Sequence, residues 1–405
     1  MRFERFIARR FADGDGFSGP LSRVAVASVA LGVTVMVMAI SILRGFQADI
    51  SGKVAGFGGH ITITSYAAGL PYSDEPVRTD SVLTTQLLET EGVRSVERYA
   101  TKGGMVKTKD QIYGIVLRGV EQGYDTAFYH QCLTDGRLPD VATAAASNDV
   151  LVSSTMARKL GLTTGDKMRT YFWGGNTYRQ RAFEVCGIYN TDLADVDNIY
   201  VVGDLRQVQR LNEWDGSEAG GYELRVADME NLEKTADRVA RLLPYDLRLQ
   251  TIVGANPALF SWLDLLNANI ALILTIMCMV CAVAMVSAML IMIFEKSSTI
   301  GLLKALGAAN GAVRRIFLLR AARLVATGVL AGEALSLALS AVQRRWHVLT
   351  LDAESYSMSV VPVDINGWVY LLVAAITMAV TLGALLPTYG YIGRISPAKT
   401  MRIEG

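Results

Sequence analysis

Gly161 to Lys167, GLTTGDK, carries the glycines and lysine of a phosphate-binding loop. Its glycine spacing is wrong for such a loop, and no Ser or Thr follows the lysine to hold a magnesium ion. The segment therefore reads as a turn entering a strand. Cys278 and Cys281 form a CxxC pair, the spacing of redox and metal sites, yet they sit inside an uncharged run of membrane length. Small side chains in that setting serve packing rather than thiol chemistry. His60, His130 and His347 are the only histidines, and neither HExxH nor a paired metal spacing accompanies them. No GxSxG nucleophile elbow is present. We expect no catalytic residue, no cofactor and no metal in this chain.

Glu333 is the remaining candidate, a single carboxylate within an apolar run. Placed mid-bilayer it costs on the order of 3 kcal/mol, so it must face a bundle interior or be protonated. One reading is a proton relay or substrate contact. The other, which we expect, is a buried hydrogen bond to Ser, Thr or backbone of a neighbouring helix.

The elements that must position these residues follow from composition. The 405 residues are 51% hydrophobic and only 19% charged, with a net charge of +1, too apolar for an ordinary soluble protein of this size. Val24 to Leu43 is a run of twenty residues without a charge, roughly 30 Å as a helix and so the thickness of a bilayer core. Ile270 to Phe294 and Trp368 to Tyr391 are likewise uncharged, and Leu324 to Val342 is broken only by Glu333. Four transmembrane helices are expected. A cleaved signal peptide does not fit the first run, which exceeds a typical apolar h-region, starts late and lacks a small-x-small cleavage pattern.

Positive charge sets the orientation. Arg2, Arg5, Arg9, Arg10 and Arg23 precede the first run; Lys296, Lys304, Arg314, Arg315, Arg320 and Arg323 follow the second; Arg394, Lys399 and Arg402 end the chain. The loop 343–367 has Arg344 and Arg345 against Asp352, Glu354 and Asp364. Both termini and the segment 295–323 are thus expected in the cytoplasm, with residues 44–269 outside. That outer segment has 23 basic and 29 acidic residues, which gives no electrostatic case for nucleic acid. His60 to Thr64 and Gly114 to Leu117 read as strands, and Ser81 to Glu91 and Leu232 to Leu243 as amphipathic helices. Short strands and turns dominate about 125–221, which suggests a mixed α/β part built from both ends of the segment with a mainly β insert. Cys132 and Cys186 share this outer segment and have the chemistry to pair in an oxidising compartment, but spacing alone does not bring their Cα atoms together.

The cytoplasmic segment Glu295 to Val313, EKSSTIGLLKALGAANGAV, lies between two membrane runs, so force applied to it reaches both helices. Ile300, Leu303 and Leu306 recur every three residues, an apolar stripe suited to a groove in a partner. Gly307 is placed to end the helix, and Glu295, Lys296 and Lys304 flank the contact.

The phrases FIARRF, SILRGFQADI, VLRGVEQGYD, ARKLGLTTGDKM, EKSSTIGLLKALGA and ISPAKTMRIEG, in this order, resemble the lipoprotein-releasing permeases of the LolC/LolE type. These belong to the wider group of four-helix ABC permeases with MacB and FtsX proteins, and the resemblance covers essentially the whole chain. It implies an integral membrane protein of the inner membrane with a large mixed α/β periplasmic domain between helices 1 and 2, a porter-like part plus a β-rich insert. The implied layout is a cytoplasmic helix over 1–23, helices over 24–43, 270–294, 324–342 and 368–391, a periplasmic MacB-like domain over 44–269, a coupling segment over 295–323, a periplasmic loop over 343–367 and a tail over 392–405.

The resemblance also implies partners: a cytoplasmic ABC ATPase subunit, a second permease, a periplasmic lipoprotein carrier, an acylated lipoprotein substrate and membrane lipid. ATPase coupling falls on Glu295, Lys296, Ile300, Gly301, Leu303, Lys304, Leu306 and Gly307. A lipoprotein groove falls on Met36, Ile40, Leu43, Phe46, Leu265 and Asn269, and carrier contact on Arg169, Gln180 and Arg181 beside a short hairpin, Phe172 to Arg179, with Gly174 and Gly175 at its tip. Three acyl chains bury about 40 methylenes, at about 0.8 kcal/mol each, so unaided escape into water is negligible and an energy source is required. The alternatives are a MacB-like exporter, an FtsX-like mechanotransmission permease and, from another class, a proton-coupled transporter or membrane sensor using Glu333. Four helices without visible inverted repeats argue against the transporter.

Overall fold

The computed structural model describes residues 18–67, 75–107, 112–143, 145–174, 177–352 and 358–387. In chain order the elements are α1 (Ser18–Gly58), β1 (Ile61–Ser65), β2 (Val77–Arg78), α2 (Ser81–Glu89), β3 (Val93–Lys107), β4 (Ile112–Val120), α3 (Thr126–Cys132), β5 (Leu133–Gly136) and β6 (Asp149–Ser153). Next come α4 (Ser154–Leu160), β7 (Lys167–Gly174), β8 (Thr177–Tyr189), α5 (Ala194–Asp197), β9 (Tyr200–Asp204), α6 (Leu205–Asn212), β10 (Glu218–Ala219), β11 (Gly221–Val226) and α7 (Leu232–Ala240). The chain ends with β12 (Leu247–Thr251), α8 (Ile252–Ala255), α9 (Pro257–Glu295), α10 (Ser297–Ala305), α11 (Asn310–Trp346) and α12 (Gly367–Ala384). They form two compact units: a sheet unit over 48–261 with 351–359, and a helical unit from the rest. Residues 1–17 of the expected amino-terminal helix over 1–23, the tail 392–405 and Gly175 lie outside the described residues.

In the sheet unit one ten-stranded sheet runs β12-β1-β11-β3-β4-β9-β6-β8-β5, with β7 paired to both β3 and β8. Strand alternation supplies its faces: Ile61 and Ile63 are buried while Thr62 and Thr64 are half-exposed. On α7, Leu232, Ala236 and Val239 at i, i+4 and i+7 meet those strands in one core with Leu87 of α2. Asp80 caps α2 by accepting from Val82 N at 2.9 Å. A second core gathers Leu117, Val152, Phe172, Phe183, Val201 and Val208.

The stretch 125–221 holds more helix than its sequence suggests. Asp125, after a turn, and Ser153 and Asp204, each the last residue of a strand, cap α3, α4 and α6. The three helices differ in place: α3 and α4 lie within the crossovers that let β4 pair β9 and β6 pair β8 in parallel, connections that a tight antiparallel turn cannot make, and α6 follows β9. They are only seven or eight residues long, too short for a helical period to show. The GLTTGDK segment is a helix end and a turn: Gly161 caps α4 at φ 64°, Gly165 turns at φ 93°, and Asp166 accepts from Thr163 N and Oγ1 at 2.7 and 2.8 Å.

In the helical unit α1, α9, α11 and α12 are long and apolar enough to cross a membrane. The apolar runs are the middles of these helices, except that α12 stops at Ala384 rather than running to Tyr391. Pro387, two residues past the cap Leu385, has no N–H to continue the ladder and disfavours helix in the residue before it. Helix contacts are close because they rest on glycine. A Cβ on Gly332 of α11 would lie 2.5 Å from Ala30 O, and one on Gly328 would lie 2.8 Å from Val29 Cβ, both on α1. Thr34 Oγ1 adds a hydrogen bond to Gly332 O at 3.1 Å. This is a small-xxx-small seam. Around it Val33, Met36, Met285, Met289, Val325 and Val373 form the unit's core.

Candidate functional site

The coupling element is α10, nine residues between the ends of α9 and α11. Ile300 is fully buried in the core of the helical unit with Val313 and Phe317, and Gly301 is buried beside it. Leu303 and Lys304 are half-buried. Leu306 is 78% exposed and Leu302 is 54% exposed. The expected stripe Ile300, Leu303 and Leu306 is therefore not one outward face. Three residues are 60° short of a full turn, so two such steps drift about 120° around the helix. Leu302 and Leu306, four apart, share the outward face with Ser298 and Ala305.

The helix ends as its sequence indicates. Gly307 adopts φ 91°, Ala308 N donates to Leu303 O at 2.9 Å and Gly307 N to Lys304 O at 3.0 Å, which is a Schellman motif. Lys296 Nζ lies 3.8 Å from Glu295 Oε1. Partial burial, then the charge of Arg314, lowers the proton affinity of Lys304. One side of α10 is thus fixed to its own bundle, and the other presents two leucines at the base of two long helices.

The six groove residues divide. Met36, Leu43 and Phe46 are buried and Ile40 is half-buried against the chain's own helices, whereas Leu265 and Asn269 are exposed. Phe46 stacks edge-on against Trp262 of α9, centroids 5.5 Å apart, and Gln47 Nε2 donates to Asn267 Oδ1 at 3.0 Å one turn further on. Trp262 was not singled out from sequence; an aromatic near the start of the second long helix was the available signal.

The hairpin of β7 and β8 closes at the pair Gly174↔Thr177. Facing residues share a side, so Arg169, Tyr171 and Trp173 lie with Ala182, Gln180 and Tyr178. Arg169 and Gln180 therefore share one exposed face, while Arg181, opposite Thr170, lies on the other. The feature not singled out from sequence is Trp173 with Tyr178, an edge-on pair at 4.8 Å, 55% and 59% exposed at the hairpin end. Arg179 braces the hairpin by an ion pair to Glu213 and a hydrogen bond to Leu211 O at 3.4 Å, at the end of α6.

A further anchor is Arg225 on β11. It donates to Ala55 O and Gly56 O at 3.1 and 2.9 Å, in the last turn of α1, and pairs with Glu97 and Asp125 at 3.4 and 3.3 Å. A guanidinium at a helix C-terminus satisfies carbonyls that the helix itself leaves free.

The sulfur and carboxylate candidates resolve differently. Cys132 and Cys186 are free thiols, the first pushed up to about 11 and the second to about 12, in each case mainly by burial, so neither is poised as a nucleophile. Cys281 is fully buried against Gly32 of α1, and Cys278 meets Met36 Sδ at 3.7 Å, so both pack the α1 and α9 seam. Glu333 is half-exposed on α11, and the expected side-chain hydrogen bond to a neighbouring helix does not form among the described residues. Ser336 Oγ instead donates to the Glu333 backbone oxygen at 2.9 Å.

Four membrane-length helices, a large α/β unit and a short helix fixed between two of the long ones define a multi-pass permease with a periplasmic domain. The model of the MacB-like periplasmic core domain matches residues 22–242, more than half of the chain, and that of the FtsX-like permease C-terminal region matches 271–397. The chain belongs to this family of ABC permeases. It is 24% identical over 96% of both chains to the lipoprotein-releasing system transmembrane protein LolC of Neisseria meningitidis, and 22% identical to that of Xylella fastidiosa over 96% of this chain and 95% of the relative. It is a permease of the LolC/LolE type in the inner membrane. Among solved structures, the periplasmic region of MacB from Actinobacillus actinomycetemcomitans aligns with a TM-score of 0.35 at 13% identity, over 51% of this chain and 95% of that one.

Proposed function

We propose that the chain is the permease subunit of an ABC-type lipoprotein-releasing complex. It takes outer-membrane-directed lipoproteins from the inner membrane and passes them to a periplasmic carrier, and a separate cytoplasmic ATPase supplies the energy. Both termini are cytoplasmic in this reading, and a second permease, the same chain or a related one, completes the groove. The observation that carries it is α10: a helix locked to its bundle through Ile300 while Leu302 and Leu306 stay exposed is suited to be gripped and moved. Force on it reaches α9 and α11 directly, because each begins or ends within a few residues.

Release requires that acyl chains never face bulk water. The exposed Leu265 and Asn269 on α9 are where the chain can meet a substrate laterally. The hairpin pair Trp173 and Tyr178, with Arg169 and Gln180 on the same face, has the aromatic and Arg character of a protein contact and is the proposed carrier site. A photocrosslinker at Leu265 should capture acylated lipoprotein in membranes that contain the partner ATPase. Capture of bulk phospholipid alone would contradict the reading.

A further inference from the structure

The outer end of α11 carries a group of side chains that none of the sites above uses. α1 and α11 run side by side in the same direction: Gly328 meets Val29, Gly332 meets Val33, and Ser340 Oγ lies 3.3 Å from Met38 Sδ. Past Gln47, α1 continues into the periplasmic sheet unit, so Gln343 to Trp346 lie at the periplasmic edge of the membrane. Asp364 N donates to Ser41 O at 3.0 Å, which brings the start of α12 to the same level. Trp346 and Trp368 are 69% and 66% exposed there, the position of an interfacial aromatic belt.

Arg344 and Arg345 share the last turn with Trp346 and are exposed. Neither side chain has an ion pair or hydrogen bond among the described residues. A helix C-terminus favours positive charge, but that accounts for the charge alone. Val348 and Leu349, 64% and 52% exposed, carry the apolar surface of Trp346 beyond the helix. Apolar side chains beside unpaired guanidinium groups fit the boundary where phosphates meet acyl chains.

The backbone is prepared for that boundary. Leu349 lies outside regular helix, where an unpaired N–H or C=O is costly at membrane depth. Gln343, buried at the helix end, answers both groups. Leu349 N donates to its Oε1 at 2.8 Å, and its Nε2 donates to Leu349 O at 3.0 Å and to Val361 O at 3.1 Å. The turn after α11 is thereby held in one shape next to the two arginines. Guanidinium groups bind phosphate through paired N–H donors, and the phosphate present at this depth is that of a phospholipid headgroup. A zwitterionic headgroup carries its own cation and an anionic one does not, so charge favours the anionic lipid. We propose that the outer end of α11 is a binding site for anionic phospholipid of the outer leaflet. Arg344 and Arg345 hold the headgroup, and Trp346, Val348 and Leu349 meet the upper acyl chains.

The test uses the full chain in nanodiscs of phosphatidylglycerol and phosphatidylcholine, with bromines near the headgroup end of the acyl chains of one lipid or the other. Lipid composition is then the same in both arms, and the Trp346 signal is the fluorescence difference between wild type and Trp346→Phe. Brominated phosphatidylglycerol should quench that signal at least twofold more than brominated phosphatidylcholine. Arg344→Gln with Arg345→Gln should abolish the preference at an unchanged unfolding temperature. Arg344→Lys with Arg345→Lys should keep part of it, because charge remains while the paired donors are lost. Excess inorganic phosphate, at matched ionic strength, should leave the preference in place. Equal quenching by the two lipids in wild type would overturn the proposal, whether or not the glutamine pair folds. A preference that survives in a folded glutamine pair would overturn it too, as would displacement by inorganic phosphate, which would mark a site for a free anion.

Discussion

The sheet unit and the helical unit are held by different physics. In the sheet unit arginines, Arg118 buried and Arg206 and Arg225 half-buried, tie elements together: Arg118 to Glu223 across the intervening strand β3, Arg206 to Asp204, and Arg225 to the end of α1. In the helical unit the polar side chains mostly bond their own helix, as Thr275, Thr327 and Thr381 do, and the seams rest on Gly32, Gly328 and Gly332. A unit immersed in lipid gains nothing from apolar burial between helices, so shape must hold it. A unit in water gains from burial and can satisfy charges at its seams. Added bulk should therefore break the helical unit and lost charge the sheet unit.

The largest effect that would test this contrast comes from Gly332→Leu. Its side chain has nowhere to go but into the Ala30 backbone and Val33, so we expect loss of folded protein in detergent, by size-exclusion chromatography. Gly311→Leu, where nothing lies within 4 Å, should elute as wild type. Next, Arg225→Ala removes the clamp on α1 and leaves the half-buried Glu97 without its ion pair. Thermal unfolding should show a loss of about 3 kcal/mol in the sheet unit.

A smaller effect sharpens the same point through pH. Burial, then Arg225, lowers the pKa of His60 below the ordinary 6.5, and His60 Nδ1 accepts from Val226 N at 3.3 Å. The neutral form is the one the fold holds. Its contribution is present above the unfolded pKa and is lost as pH falls through the lower folded value. The unfolding temperature should drop between pH 7 and pH 5, and His60→Gln should flatten that slope. The smallest effect is expected of Glu333→Gln. With no ion pair to lose among the described residues, release should stay near wild type, and complete loss with normal assembly would favour a proton-coupled mechanism.

What the sequence revealed follows the same division. Strands at His60 to Thr64 and Gly114 to Leu117, and the helices from Ser81 and Leu232, were legible because burial on one face writes a local period. Gly307 was legible because a left-handed helix end has a local signature. The outward face of α10 was misread, since three-residue spacing does not stay on one side of a helix. The Gly328 and Gly332 seam went unremarked because its meaning lies in a partner helix distant in sequence. Arg225 and the Trp173 and Tyr178 pair gain their roles only from strand register, which residue types alone do not fix.

The central claim is that α10 couples a separate motor to lipid release, and the most direct test is reconstitution. The complete complex in proteoliposomes, with Leu302→Asp and Leu306→Asp in this chain, is assayed for ATP hydrolysis and for transfer of acylated lipoprotein to the soluble carrier. The account predicts ATP-dependent transfer by wild type and at least a tenfold loss in the variant, with the sheet unit's unfolding temperature unchanged. Undiminished transfer by the variant, or wild-type transfer that does not depend on ATP, would contradict it.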